Sequence, residues 1–300
     1  MNALDRAVAG LVPRLPRPVV GLVAKRYIAG ETLDSALATA RSLNAANMSV
    51  TMDVLGENIR HLDEAARTVQ LYQEVVERIH SSGVVGNVSV KLTHFGLKLS
   101  RDRCAENLRT LAATAERVGM FIRIDMEDSS TTSDTLGIFG DVREVHPNVG
   151  VVIQAYLRRS ESDVRELART GARVRVCKGI YREPIDIAFH DPEEIRRSFL
   201  QLVEILLEGG SHVAIATHDE KLVEGAYRLL DRIGPSVQGR YEFQMLLGVR
   251  EALRDEIVAK GHPLRVYVPF GEQWYAYSVR RLRENPAIAG HVFRALLGLK

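Results

Sequence analysis

Two adjacent arginines near the carboxyl end of the sequence lie in a pattern suited to binding an anion. Arg280 and Arg281 follow Tyr277, and Glu284 comes one helical turn later. In a helix Tyr277, Arg281 and Glu284 share one face, and Glu284 stands where the helix dipole disfavours an anion. We therefore interpret Glu284 as the residue that holds an arginine in place, so that two guanidinium groups can grip a carboxylate or a phosphate. The alternative is a solvated basic helix face.

Charged residues also alternate with apolar ones in segments that otherwise resemble buried strands. In the segment 121–127 the apolar residues alternate with Arg123, Asp125 and Glu127. Since strand side chains alternate between two faces, these charges point away from any covering helices. The same phase turns inward a larger polar set: Thr51, Asp53, Ser89, Lys91, Gln154, Tyr156, Arg173, Arg175, His218, Glu242, Gln244, Arg265 and Tyr267.

Four inward cations (Lys91, Arg123, Arg175 and Arg265) face four inward anions (Asp53, Asp125, Glu127 and Glu242). Buried charges are costly unless they are paired, so this balance predicts an ion-pair network. For Arg123, Asp53 and Arg265 the alternative is a purely structural role, in which the charges only support one another.

The elements that position these residues repeat along the chain. Short β-rich segments fall at 49–54, 88–92, 121–127, 149–156, 173–179, 212–218, 241–247 and 264–270, and segments such as 56–80 and 102–118 between them have helical periodicity. Eight alternating units predict a closed (β/α)8 barrel of the TIM type. A helix at about 31–46 would precede it, and the helix carrying Arg280 would follow the last strand at the barrel mouth. We expect one domain over 1–300, with a helical segment at 1–46 and the barrel at 47–300.

In such a barrel the reacting groups lie at the carboxyl ends of the strands. That rule selects Lys91, Asp125, Glu127, Gln154, Lys178, His218, Leu246 and Tyr267. Taken alone, these residues leave other chemistries open. Lys91 or Lys178 would suit a Schiff-base aldolase, and a carboxylate and histidine set (Asp125, Glu127, His218 and Glu242) would suit a metal-dependent hydrolase. A non-enzymatic binding module would make poor use of so polar an interior.

Composition narrows the class further. The chain has 300 residues, 46% of them hydrophobic, a formal net charge of +2 and two cysteines. This charge is too small to indicate nucleic-acid binding, and no apolar run approaches the roughly 18 residues of a membrane span. Without a disulfide framework the cytoplasm is the expected compartment. The basic, proline-interrupted segment 1–26 either docks on its own domain or rests on a membrane surface.

Several motifs, in order, resemble the proline dehydrogenases, both the stand-alone bacterial form and the corresponding domain of bifunctional proline utilization proteins. The most specific is Tyr267-Val-Pro-Phe-Gly271 followed by Tyr277-Ser-Val-Arg280-Arg281-Leu-Arg-Glu284-Asn. Also similar are Ser89-Val-Lys91-Leu92, Ile124-Asp125-Met-Glu127, Gln154-Ala-Tyr156, Val174-Arg175-Val-Cys-Lys178-Gly179-Ile-Tyr181, Ala216-Thr217-His218 and Glu242-Phe-Gln-Met-Leu246. The resemblance covers nearly the whole chain.

The resemblance implies a barrel that holds FAD at its mouth and oxidises L-proline to 1-pyrroline-5-carboxylate, the first step of proline degradation to glutamate. Hydride would pass from proline to the flavin, and electrons would go on to a quinone during brief contact with the inner face of the membrane. A pyrroline-5-carboxylate dehydrogenase would be the functional partner. The sequence has no G-x-G-x-x-G after the first strand, so barrel loops would have to hold the pyrophosphate.

The resemblance also implies a role for each matching residue, with no metal. Lys91, Arg280 and Arg281 would grip the proline carboxylate, with Glu284 as a support for the arginines. Tyr267, Tyr181 and Leu246 would form the walls of the substrate pocket. Asp125 would orient the cations, and Arg175 would stabilise negative charge on the flavin. The FAD contacts would be Met126, Gln154, Lys178, Gly179, Ile180, Thr217 and His218. The sequence departs from some members at Ile180, where others have alanine, and at Arg182, where some have an aromatic residue.

Overall fold

A computed structural model describes residues 21, 24, 26–275 and 277–279. The eight strands are β1 (Ser49–Val54), β2 (Gly86–Val90), β3 (Ile122–Ile124), β4 (Val149–Gln154), β5 (Arg173–Cys177), β6 (His212–Ala216), β7 (Tyr241–Leu246) and β8 (Leu264–Phe270). Each strand pairs in parallel with the next, and β8 pairs with β1. The predicted closed (β/α)8 barrel is confirmed.

Helices separate the strands, and a further helix lies before β1. The described helices are α1 (Leu33–Ala45), α2 (Leu62–Ser81), α3 (Arg101–Arg117), α4 (Thr132–Arg143), α5 (Ser160–Arg169), α6 (Pro192–Glu208), α7 (Glu220–Ile233) and α8 (Glu251–Ala259). Among the described residues, no helix is both long and apolar enough to cross a membrane.

The apolar core lies between the sheet and the helices. On α2 the buried residues include Val69, Tyr72 and Val76, which recur at helical spacing and face the barrel. Tyr72 also fixes α2 against the sheet, because its hydroxyl donates a hydrogen bond to the backbone oxygen of Ser89 at 2.8 Å. The outer faces of the strands supply the other half of this core, so the inner faces are left to the polar residues.

Only β1 and β8 have the predicted bounds; β4, β5, β6 and β7 begin where predicted but end one or two residues earlier, and β2 and β3 differ more. β2 begins at Gly86, two residues earlier than predicted, and ends at Val90. β3 covers only residues 122–124, so Asp125 and Glu127 follow the strand. Beyond β2 the chain turns at once, since the backbone N–H groups of His94 and Phe95 donate to the carbonyl of Lys91. Early turning brings the polar residues to the rim, where side chains can converge on a ligand.

Candidate active site

A cavity of about 820 Å³ opens at the carboxyl ends of the strands. It is lined by every candidate site residue that lies within the described part of the chain: Lys91, Asp125, Met126, Gln154, Arg175, Lys178, Gly179, Ile180, Tyr181, Thr217, His218, Leu246 and Tyr267. Glu127 and Tyr277 line it as well. The residues that we selected because they lie at the carboxyl ends of strands therefore line this cavity.

Lys91 lies between two carboxylates on the inner wall. Its Nζ atom donates to Oδ1 of Asp53 at 2.8 Å and lies 3.8 Å from Oδ2 of Asp125. Asp53 is fully buried, and only 12% of the Lys91 side chain is exposed. Burial alone would lower the pKa of the Lys91 ammonium, but the two carboxylates outweigh it and raise the pKa above its ordinary value. Lys91 is therefore a fixed cation, a state unsuited to an aldolase, which needs a neutral amine.

Asp125 is the hub of the site. Its Oδ1 atom accepts hydrogen bonds from Arg175 Nη1 at 2.6 Å and from Ser89 Oγ at 2.8 Å, and its Oδ2 atom accepts one from Tyr267 Oη at 2.7 Å. Burial would raise the pKa of this carboxyl, but Arg175 and Lys91 reverse the effect and hold it below its usual range. Asp125 is thus a stable anion that orients cations.

Arg175 is anchored on a second side as well. Its Nε atom donates to Oε1 of Gln244 at 2.5 Å, and Gln244 in turn donates to Glu242, which pairs with Arg265 at 2.8 Å. The Nη2 atom of Arg175 is buried and has no hydrogen-bond partner among the described residues. A guanidinium held by Asp125 and Gln244, with the N–H groups of one nitrogen left over, is prepared to meet a ligand group.

The predicted balance of inward charges holds only in part. Lys91, Arg175 and Arg265 pair with carboxylates, but no carboxylate of the described residues lies within salt-bridge distance of Arg123. Arg123 donates instead to the backbone oxygens of Val151 and Arg173, at 3.0 and 2.6 Å. Backbone carbonyls at the barrel floor thus take the place of a carboxylate for Nη1, although the Nε atom of Arg123 is buried with no hydrogen-bond partner among the described residues.

Among the described residues, hydrogen bonds rather than an ion pair hold Glu127. It accepts hydrogen bonds from the backbone N–H and the hydroxyl of Thr93 at 3.0 and 2.5 Å. Its pKa is raised by burial, against the opposing effect of these hydrogen bonds. Glu127 thus ties the loop after β3 to the loop after β2, and its backbone oxygen accepts a hydrogen bond from Gln154 at 2.7 Å.

The sequence reasoning identified Lys178 at the outer rim but missed the charged residues around it. Asp219 accepts hydrogen bonds from Lys178 at 2.5 Å and from Arg196 at 2.8 Å, and it caps the amino end of α7. Lys221 and Arg250 line the same side of the cavity. Asp219 directly follows Thr217-His218 and is a favourable helix cap, a signal that could have identified it. Arg196 lies inside α6, and no strand periodicity pointed to it.

Backbone geometry explains why glycine is needed at position 179, and backbone contacts give His218 a structural role. Gly179 has a φ of +102°, and a β-carbon there would lie 2.1 Å from a ring carbon of Tyr156, so the position requires glycine. Tyr156, which the strand phase turned inward, packs beneath this glycine beside Leu157 and Ala188. His218 accepts a hydrogen bond from the backbone N–H of Leu246 at 2.8 Å, which joins the ends of β6 and β7.

The comparisons with known proteins agree with this geometry. Residues 36–294 match the family model described as proline dehydrogenase. Proline dehydrogenase 1 of Bacillus subtilis (strain 168) is 34% identical over 277 residues, which are 92% of this chain and 91% of that protein. Proline dehydrogenase of Deinococcus radiodurans is 33% identical over 296 residues, 95% of this chain and 94% of that protein. The chain belongs to the proline dehydrogenase family.

Membership makes the protein an oxidoreductase of proline catabolism and decides against the aldolase and hydrolase alternatives. The fold agrees with a solved member. The crystal structure of proline utilization A from Bdellovibrio bacteriovorus, inactivated by N-propargylglycine, has a TM-score of 0.81 and 28% identity over 88% of this chain and 32% of that one. Within the described residues no cluster of three or more histidine, cysteine or acidic side chains could hold a metal ion.

Three residues that the family resemblance assigned to the site lie outside the described residues, namely Arg280, Arg281 and Glu284. The described helical residues just before them, among them Trp274 and Tyr277, pack with Ala24, Ile28 and Leu55. Tyr277 lines the cavity. The roles of Arg280, Arg281 and Glu284 stay predictions.

Proposed function

We propose that this proline dehydrogenase oxidises L-proline to 1-pyrroline-5-carboxylate with FAD in the cavity and delivers the electrons to a quinone. The observation that carries the proposal is Arg175, which Asp125 and Gln244 hold at the cavity with one buried donor nitrogen free among the described residues. A fixed cation at this position would stabilise negative charge on a flavin ring.

The described residues fit a flavin dinucleotide. Lys178 and Arg196 at the rim suit a pyrophosphate, and their present partner, Asp219, keeps them in place. We assign FAD contacts to Met126, Gln154, Arg175, Lys178, Gly179, Ile180, Thr217 and His218, which all line the cavity. When bound, the flavin supplies a hydride acceptor.

The charges also support a binding mode for proline. Lys91 and Arg175 are balanced by Asp53 and Asp125, so this part of the site is neutral before substrate arrives. A carboxylate would need further positive charge, and Arg280 and Arg281 would supply it beside Lys91, supported by Glu284. We assign Tyr181, Leu246 and Tyr267 to the walls of the substrate pocket.

Asp125 would orient these groups rather than accept a proton. Both of its oxygens already accept hydrogen bonds, and its pKa lies below the usual range. A general base works best when its pKa is near the operating pH, so Asp125 is poorly suited to that task. Its part in catalysis would be to hold Arg175, Lys91 and Tyr267 in one arrangement.

The loop between β5 and α6, which lines the cavity at Ile180, has exposed apolar residues that would suit an apolar electron acceptor. Ile180, Ile185 and Ile187 are exposed on the loop between β5 and α6, by 48%, 62% and 36%. Such a surface suits brief contact with the inner face of a membrane, where a quinone would be reached from the cytoplasm. The product would pass to a pyrroline-5-carboxylate dehydrogenase, and relatives such as the Escherichia coli protein are named bifunctional PutA.

The test is the visible spectrum of the purified protein before and after L-proline is added without oxygen. We expect flavin absorbance near roughly 450 nm that bleaches with proline and returns with a quinone but not with NAD. If the flavin band is present but does not bleach with proline, proline is not the substrate. If no flavin band appears after reconstitution with FAD, the assignment of FAD as cofactor is wrong. Efficient reduction of NAD would refute the acceptor.

A further inference from the structure

The loop between β5 and α6 is fixed to its neighbours along its length. Its first part crosses the ring of Tyr156 at Gly179, where the contact leaves no space for a side chain. Its last part is held to the turn after β4, because the backbone N–H of Arg158 donates to Ile187 and the backbone N–H of Phe189 donates to Tyr156. Between these two attachments lie Ile180 and Tyr181, which line the cavity.

One side chain in this loop reaches across to the loop after β3. The carboxylate of Glu183 accepts a hydrogen bond from the backbone N–H of Ser129 at 2.8 Å and another from the Ser129 hydroxyl at 2.7 Å. Ser129 begins a short 3₁₀ turn that follows Met126 and Glu127 of the cavity wall. The Glu183–Ser129 contact therefore joins two loops that line the cavity.

The Glu183–Ser129 contact is a long-range contact and not part of the local structure of either loop. The two residues are 54 positions apart, and the backbone of Glu183 is separately held by His190, whose Nε2 atom lies 2.8 Å from the Glu183 carbonyl oxygen. A carboxylate that accepts both an N–H and an O–H is a strong, directional contact. It fixes the distance between the loop that carries Tyr181 and the loop that carries Met126.

We propose that Glu183 is a positioning residue for substrate specificity, because its contact with Ser129 sets where Tyr181 and Ile180 stand and hence the ring size that the pocket accepts. The inference rests on the proposed function, since it takes Tyr181 as a wall of the proline pocket. A wall held at both ends can exclude a larger ring, whereas a wall free to move outward cannot.

The experiment compares three cyclic amino acids on the FAD-loaded enzyme: proline, its four-membered homologue azetidine-2-carboxylate and its six-membered homologue pipecolate. A methylene in a well-defined pocket changes kcat/KM by about 10- to 200-fold, and we expect the unmodified enzyme to favour proline by an amount in this range. In Glu183→Ala the preference for proline over pipecolate should fall about tenfold, mainly through a lower KM for pipecolate, because the freed wall no longer excludes the larger ring.

Two variants separate positioning from loss of folding. Glu183→Gln keeps an acceptor oxygen for Ser129 and should restore the ring-size preference. Asp186→Ala removes an exposed carboxylate from the same loop and should leave it unchanged. In the Glu183→Ala background, Ser129→Ala should have no further effect, because the two side chains act as a pair.

The outcomes are distinguishable. If proline bleaches the flavin of the unmodified enzyme but Glu183→Ala keeps its ring-size preference, the inference is wrong and the proposed function stands. The inference is also wrong if Glu183→Gln and Glu183→Ala behave alike, or if Asp186→Ala loses the ring-size preference to the same extent as Glu183→Ala. If proline never reduces the flavin, the proposed function fails first and the inference falls with it.

Discussion

Arg175 on β5 and Asp125 just after β3 meet across the barrel interior, with Nη1 and Oδ1 2.6 Å apart. Their side chains are 7% and 15% exposed. Because Gln244 and Ser89 hold the same pair from other strands, the guanidinium does not have to reorganise when a ligand arrives. The two residues therefore form one unit, and changing either should affect the other.

Replacing Arg175 should slow flavin reduction far more than it weakens the fold. In Arg175→Met we expect the rate of anaerobic bleaching by saturating proline to fall by about 10²–10³, the usual effect of removing one preorganised electrostatic group. Stopped-flow absorbance of the FAD-loaded enzyme measures it. Arg173→Met is the matched control, because Arg173 is on the same strand but exposed at the opposite end of the barrel. Equal losses in both variants would contradict the assignment.

Replacing Asp125 should leave a pH signature in stability. The folded pKa of Asp125 lies below the unfolded value of about 3.9, so the ionised carboxylate stabilises the protein above that pH and the benefit is lost as pH falls through the folded pKa. Asp125→Asn should cost roughly 3–5 kcal/mol near neutrality, since it leaves buried cations without their anion.

The difference in unfolding free energy between Asp125→Asn and the unmodified protein should narrow as pH falls from about 5 to 3. Urea unfolding at several pH values measures it. Tyr267→Phe is a useful comparison, because it removes a hydrogen bond to the same carboxylate without removing charge. A difference that widens toward acid would show that Asp125 is not held as an anion.

Side chains alternate between the two faces of a strand, and this period of two residues predicts much of the site. Charged residues alternate with apolar ones along the strands and just past their ends. Asp53 and Arg175, within strands, and Lys91 and Asp125, directly after strands, could therefore be placed in the interior without knowledge of the fold's contacts. The alternation does not predict which group each charged side chain contacts. Arg123 donates to a backbone carbonyl of β5, and Glu127 accepts from the hydroxyl of Thr93 in the loop after β2; the alternation of charged and apolar residues predicts neither contact.

Residues from helices and loops were harder to predict for a different reason. Arg196 and Lys221 reach the cavity from α6 and α7, whose periodicity reports only the face turned to the core. Glu183 lies in the loop before α6, and its contact with Ser129 depends on how two loops approach in space. In contrast, the number and order of the β-rich and helical segments in the sequence were sufficient to predict the barrel.

The rim cations should govern retention of FAD more than the handling of proline. In Lys178→Met or Arg196→Met we expect the dissociation constant of FAD to rise about tenfold or more, because a charge-assisted contact to a pyrophosphate would be lost. Titration of the apoprotein with FAD, followed by flavin fluorescence, measures it. Arg197→Met is the control, since Arg197 is adjacent on α6 but exposed. If the affinity for FAD is unchanged in both Lys178→Met and Arg196→Met, these rim cations do not bind the pyrophosphate.

Arg281 provides the test of carboxylate anchoring. Lys91 is already balanced by Asp53 and Asp125, so the proline carboxylate should depend on the arginine pair for its attraction. In Arg281→Met we expect KM for proline to rise at least about tenfold while bound flavin is largely retained, since a bidentate contact to a carboxylate is lost.

Steady-state kinetics and the ratio of flavin to protein absorbance measure the two effects separately. Arg283→Met makes the same change two positions further along the sequence, outside the face that helical spacing predicts for Tyr277 and Arg281, and should leave KM unchanged. If Arg281→Met loses flavin and proline affinity together, the arginine supports the fold rather than the substrate. If KM rises equally in Arg283→Met, general positive charge rather than a directed contact attracts the carboxylate, and raising the salt concentration should then increase KM in the unmodified enzyme too.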